Sequence, residues 1–244
     1  MIAQFKAELL KIRSTRTTFG LALGMIAIVI LFSLLSGLLS KGPQLTSPEF
    51  QDNLLGVGSL AGVFSALAGI MLVTSEYRYG TIRPTFLFTP RRSLVIAAKI
   101  AAGLFAGLIF GIVGELLGFG IGYTTLTSRG IAFALDNRAF IQLVLGAFAG
   151  VALWGAIGVG IGAIVRNQVS AIIALLAWGF FAENLLFALV PSIGRFGPIH
   201  AQDGLMGLAT KHLLSAPAGG AVLIAWTIVL GLIGTAVAVR RDVN

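Results

Sequence analysis

Hydrophobic residues run along this chain in six long blocks, at about 17–39, 53–74, 94–121, 139–165, 168–190 and 218–239, separated by polar or glycine- and proline-bearing stretches. A helix rising about 1.5 Å per residue needs about 20 such residues to cross a hydrocarbon core of about 30 Å, and every block supplies them. Lipid offers no hydrogen-bond partner to backbone amides and carbonyls, so the blocks are predicted to be helices. The intervening stretches carry start and stop chemistry. Ser47-Pro48-Glu49, Thr89-Pro90 and Ser215-Ala216-Pro217 each set a hydroxyl and a helix-starting proline ahead of a block, and Gly42-Pro43 closes the first. Between the fourth and fifth blocks there is room only for Arg166-Asn167-Gln168, which predicts a tight turn between antiparallel neighbours.

Composition sharpens this into a class. With 57% hydrophobic and 11% charged residues over 244 positions, and a mean hydropathy of +0.97, no stretch can be carved out as a water-soluble domain. The expected architecture is one all-α membrane domain over 1–244. The absence of Cys excludes disulfides, thiolate metal sites and cysteine nucleophiles. A net charge of +8 would suit nucleic acid, but the basic residues flank apolar blocks, where anionic lipid headgroups account for them, so nucleic acid is not an expected partner. Threaded through six spans, Lys6, Lys11, Arg13, Arg16, Arg78, Arg83, Arg91, Arg92, Lys99, Arg166, Arg240 and Arg241 fall on one side, against Lys41, Arg129, Arg138, Arg195 and Lys211 on the other. Twelve against five predicts a multi-pass protein of the cell membrane with both termini cytoplasmic. The first block is expected to be a retained span, being too long for the core of a signal peptide.

Two connections have patterns of their own. Ile2, Phe5, Leu9 and Ile12 recur at helical spacing, while Lys6, Lys11 and Arg13 lie largely away from them. Residues 1–16 therefore read as an amphipathic helix in the inner interface, the plainer alternative being a charged flank of the first span. Residues 191–217 carry apolar Phe196, Ile199, Leu205, Met206, Leu213 and Leu214, so this outer connection is expected to dip back into the leaflet or form short helices on it. Glycines recur every four residues at Gly103, Gly107 and Gly111, at Gly146 and Gly150, and at Gly158 and Gly162, making faces for close helix approach within one subunit or between two. The halves show no convincing repeat, which withholds support from an inverted-repeat transporter.

Catalytic signatures are missing. There is no Gly-x-x-x-x-Gly-Lys-Ser/Thr phosphate cradle, no Gly-x-Ser-x-Gly elbow and no His-Glu-x-x-His pair, so no enzyme activity is expected and any ATP must be handled by another polypeptide. His200 and His212, twelve residues apart in the outer connection, are expected to be solvent-facing or interfacial, not metal ligands. Glu115 in the third block and Glu183 in the fifth are different. A carboxylate at that depth costs at least a few kcal/mol, so each should face a partner, a polar cavity or the bundle interior. Both are candidates for a translocation path, the alternative being a structural hydrogen bond, for Glu183 with Asn184 for example.

The stretch between the second and third blocks is the most specific. Glu76-Tyr77-Arg78-Tyr79-Gly80-Thr81-Ile82-Arg83, then Pro90-Arg91-Arg92 and Lys99, is similar to the Glu-x-x-x-Gly-Thr segment and following Pro-Arg turn of the type-2 permease family, the membrane subunits of ATP-binding-cassette exporters. The likeness extends over nearly the whole chain: a basic amphipathic opening helix, six spans and a long outer connection before the last. It implies that 75–92 is a coupling segment docking on a cytoplasmic ATPase subunit, with Glu76, Tyr77, Arg78, Tyr79, Gly80, Thr81 and Arg83 as its contact residues. In that reading Glu76 and Arg83 form ion pairs, Tyr77 and Tyr79 fill apolar pockets, and Pro84 keeps the docking piece short. It further implies ATP and Mg on the partner and none on this chain, and a second permease copy or a related permease completing the pathway. Membrane lipids are the surroundings, and the cargo is hydrophobic or amphipathic: a drug, a peptide or a lipid. The alternative is an ATP-independent secondary transporter or channel working through Glu115 and Glu183.

Overall fold

In the computed structural model, which describes residues 2–40 and 42–240, every regular element among the described residues is helical. In chain order they are α1 (Ile2–Ser14), α2 (Arg16–Leu39), α3 (Gly42–Leu45), α4 (Pro48–Leu55), α5 (Ala61–Arg78), α6 (Ile82–Phe88) and α7 (Arg92–Ser128), then α8 (Asn137–Val165), α9 (Gln168–Ala177), α10 (Glu183–Leu189), α11 (Pro191–Gly194), α12 (Pro198–Met206) and α13 (Ala216–Arg240). Six stretches are long and apolar enough to cross a membrane: α2, α4 through α5, α7, α8, α9 through α10, and α13. The chain is thus a multi-pass, all-helical membrane protein. A 3-10 turn at Gly56–Leu60 joins α4 to α5, and a π turn at Trp178–Ala182 joins α9 to α10.

Pro48 opens α4 and α13 begins at Ala216, directly after Ser215, as expected, but other helix ends use different groups. Ser47 precedes α4 but makes no side-chain cap, and α7 begins after Arg91 while the Thr89 hydroxyl lies 3.5 Å from Gln4 Oε1. The side-chain caps are Asp136, accepting from the Ala139 N–H at 2.6 Å, and Asn167, accepting from the Ser170 N–H at 3.0 Å. α2 stops at Leu39, ahead of Gly42-Pro43, and Arg129 donates to the Leu38 and Ser40 carbonyls at its end. The second and third spans overrun their hydrophobic blocks, to Pro48 and Arg78 and to Ser128. Helix geometry persists past the apolar stretch because the extra turns pack on one another, Gln51 tying this end together by donating to the Leu45 and Ala132 carbonyls and accepting from the Ala134 N–H.

The fourth span is the axle of the bundle. α8 packs against α5, α7, α12 and α13, and glycine makes each approach possible. A Cβ on Gly103 would stand 2.7 Å from the Gly155 carbonyl oxygen, so α7 and α8 meet backbone to backbone. Gly158 and Gly162 meet Ala66 and Ile70 of α5, and Gly146 and Gly150 receive Met206 and Gln202 of α12. All three spaced glycine faces are thereby used inside one chain. The turn after α8 puts Arg166 in the left-handed region at φ 59°, from which its guanidinium donates to the Val237 carbonyl at 2.6 Å and lies 5.2 Å from the centre of the Tyr77 ring. In the long connection before α13, prolines open α11 and α12, and α12 folds back on α8 and α13 with His200, Gln202 and Met206 buried. His200 is therefore not solvent-facing: its ring stacks on Phe187 at 3.9 Å. His212 is exposed.

Candidate functional site

The end of the bundle that carries α1, the start of α2 and the 78–92 segment holds the strongest concentration of buried charge. α1 lays Phe5, Leu9 and Ile12 on a cluster that includes Leu72, Val73 and Ile96. Glu8 falls on that same helical face and is driven completely out of contact with solvent. It is met there by Lys99, also fully buried, two turns into α7. The Lys99 ammonium donates to Glu8 Oε2 at 2.9 Å, to Glu76 Oε1 at 2.8 Å and to the Leu72 carbonyl at 2.9 Å, which satisfies all three of its hydrogens. Lys11, half-exposed at the rim, closes the ring with bonds to Glu76 Oε1 at 2.5 Å and Glu8 Oε1 at 3.1 Å. Burial pulls the Lys11 amine down, but Glu76 and Glu8 outweigh it and hold its pKa above the ordinary lysine value. Two carboxylates and two ammoniums thus cancel within one site, which binds the opening helix to the second and third spans.

Beyond this ring the segment turns outward. Glu76 is buried and committed to Lys99 and Lys11, so its charge does not face away from the bundle. Tyr77 is half-buried beside Ile82, Phe86 and Val95. Arg78 is exposed and donates to Gln168 Oε1 at 3.3 Å, with its guanidinium over the Tyr79 ring. Tyr79, Gly80, Thr81 and Arg83 are exposed. Gly80 takes φ 71°, the left-handed conformation that lets the chain double back after α5 at no steric cost. α6 then runs for seven residues, with Pro84 in its first turn, where a missing N–H removes no helical bond. Ile82 and Phe86 anchor it inward while Arg83, Leu87 and Phe88 project away, Phe88 at 90% exposure. Of the residues named from sequence, Arg78, Tyr79, Gly80, Thr81 and Arg83 share an open surface, and Glu76 and Tyr77 form its root.

The two acids inside the spans have opposite surroundings. Glu183 is fully buried and well held: Oε1 accepts from the Ile199 N–H at 2.7 Å and the His200 N–H at 3.0 Å, His200 Nδ1 lies 3.3 Å away, and Oε2 accepts from Trp178 Nε1 at 3.0 Å. It caps the first turn of α12 from another helix, joining the fifth span to the returning connection. Asn184 is not its partner, donating instead to the Gly179 carbonyl at 2.7 Å. Glu115 is 1% exposed, and neither carboxyl oxygen has a hydrogen-bond partner among the described residues. It lies on α7 where Gly58, in the 3-10 turn of the second span, comes against the backbone.

Glu8 and Lys99 were not singled out from sequence as a buried pair. Signals were there: Glu8 interrupts the apolar face set by Phe5, Leu9 and Ile12, and Lys99 sits inside the third hydrophobic block, a position that calls for a counter-charge. Compared with known proteins, the chain matches no family model and no curated sequence. Function must therefore be argued from these groups themselves.

Proposed function

We propose that this chain is the membrane-spanning subunit of an ATP-driven exporter of the type-2 permease kind, moving a hydrophobic or amphipathic cargo out of the cytoplasm or the inner leaflet. The observation that carries the reading is α6 with the turn before it: Tyr79 on the turn and Arg83, Leu87 and Phe88 on the short helix project outward, while the helices on either side are joined at their roots by the Glu76–Lys99 pair. A partner bearing on that surface would move the second and third spans as one body, and through Glu8 the opening helix with them. Exposed aromatic and arginine side chains are the usual anchors of a protein interface. ATP and Mg belong to that partner, a cytoplasmic ATPase, and a second permease copy or a related permease completes the pathway. The basic residues at the α6 end support a cytoplasmic position for it and for both termini; Lys41 and Arg241, which enter that count, lie outside the described residues.

The test is purification of the full chain from its native membrane with single cysteines at Tyr79 and Arg83. A co-purifying ATPase that cross-links at both positions is the expected result. A second reading draws on Glu115, whose unpartnered carboxyl suits an ATP-independent, proton-linked transporter. Transport by the purified chain alone, driven by a proton gradient and absent in Glu115→Gln, would establish that reading in place of the first.

A further inference from the structure

On the side away from the ion ring, a cavity of about 240 Å³ lies between the start of α5, the middle of α8, the π turn of the fifth span and α12. An apolar cavity of about 150 Å³ holds a benzene ring, so this one has space for an aromatic or branched aliphatic group with a small polar head. Its walls are mostly hydrocarbon, among them Leu176 and Phe180, with the Trp154 indole on one side. Polar groups come from α12 and the fifth span: Asp203, Gln202 and Asn184. Phe180 and Asn184 are exposed on the outer face of the fifth span and form the mouth.

The polar groups differ in what they already do. Gln202 accepts from Trp154 Nε1 at 2.5 Å, which fixes its amide in the wall, and its own N–H donors meet only the Met206 sulfur at 3.9 Å. The Asp203 backbone carbonyl accepts from the Leu208 N–H at 3.1 Å, but its carboxylate makes no hydrogen bond or ion pair with any described residue. Burial pushes its carboxyl up to about 6, with His200 pulling it down and Glu183 adding to the rise. Nothing positive comes from the other walls: the α5 and α8 residues that line the cavity are uncharged. A part-buried carboxylate with no hydrogen bond or ion pair of its own, lining a cavity beside an aromatic face, is the arrangement that favours a positively charged guest.

We propose that this cavity binds the charged head of an organic cation with an apolar body, Asp203 supplying the counter-charge and the Leu176, Phe180 and Trp154 walls receiving the body. The proposal deepens the export reading by naming the class of cargo, and it rests on that reading only for transport; binding itself requires no ATPase.

The test is therefore equilibrium binding to the purified full chain without any partner, using benzyltrimethylammonium as probe and neopentylbenzene as its uncharged isostere. The wild-type chain should bind the cation more tightly than the isostere. Asp203→Asn should weaken the cation by roughly tenfold or more, as expected when the counter-charge beside a desolvated ammonium is lost, and leave the isostere unchanged. Asp203→Glu should retain the preference, and Leu176→Trp, which fills the cavity beside an intact acid, should abolish both ligands. Equal binding of cation and isostere by the wild-type chain, or undiminished cation binding in Leu176→Trp, overturns the proposal even if Asp203→Asn does not fold. Failure of the export reading would show instead as a missing ATPase, with this binding intact.

Discussion

The two ends of this bundle bury carboxylates in different ways. At the α1 end, Glu8 and Glu76 face ammonium groups on Lys99 and Lys11, four charges drawn from three helices. At the other, Glu183 faces an imidazole, an indole and two backbone amides at the start of α12. A ring of full charges is strong only while it is complete, because removing one member leaves an opposite charge stranded out of water. A carboxylate held by dipoles loses support in smaller steps, one donor at a time. The first arrangement suits a joint that must move as a unit, the second a fixed staple between a span and its neighbouring connection.

Breaking the ring should have the largest effect. Lys99→Met leaves Glu8 and Glu76 to share the half-exposed Lys11 alone and is expected to cost about 3–5 kcal/mol, read as a fall in thermal unfolding temperature of the purified chain. Adding Glu8→Gln and Glu76→Gln to it should return most of that loss, which single-charge repulsion elsewhere would not. At the opposite end, Glu183→Ala leaves the Ile199, His200 and Trp178 donors unmet and should cost about 2–3 kcal/mol by the same measurement, with Glu183→Gln falling between it and the wild type. Trp178→Phe removes one donor and should cost about 1 kcal/mol. A Glu183→Ala loss exceeding that of Lys99→Met would reverse the comparison.

The smallest effects belong to acids that neither arrangement holds. Glu115→Gln breaks no hydrogen bond and should change stability by less than about 1 kcal/mol. Burial raises the Asp203 carboxyl from an ordinary 3.8 to about 6, so the folded state binds its proton more tightly. Its contribution to stability is therefore full at low pH, and it is lost as pH rises through the interval from about 4 to 6. Melting curves across that interval should show the wild type gaining on Asp203→Asn as pH falls; parallel curves would mean that Asp203 is solvated.

Several of these groups were within reach of the sequence and several were not. Glu115 and Glu183 stand out as acids in apolar blocks, and Gly80 and Pro84 announce a turn and a short helix, because each of those signals is local. Trp178, five residues back, is a local donor to Glu183, but the other partners were not legible: the Ile199 and His200 amides lie 16 and 17 residues onward, on a helix whose return toward the bundle depends on packing. From sequence Lys99 counts as one of the basic residues on the expected cytoplasmic side; its place inside the third block was visible, but its bond to Glu8 spans 91 residues and follows no periodicity.

What the sequence determined by itself was the class of molecule and the number of crossings, since hydropathy is a sum over neighbouring residues and lipid answers to that sum alone. Only the tertiary structure decided which crossings lie inside. The fourth and fifth spans have mean hydropathies of 2.1 and 2.0, yet 61% of one and 11% of the other is buried within the chain. Lipid tails are as apolar as leucine, so hydropathy cannot rank two spans by burial; close approach of backbones can, and it needs partners placed opposite one another. Gly155 against Gly103, Gly158 against Ala66 and Gly150 against Gln202 are such meetings. They bring together residues far apart in the chain, and they set the fourth span at the centre while leaving the fifth, with Phe180 and Asn184, on the outside.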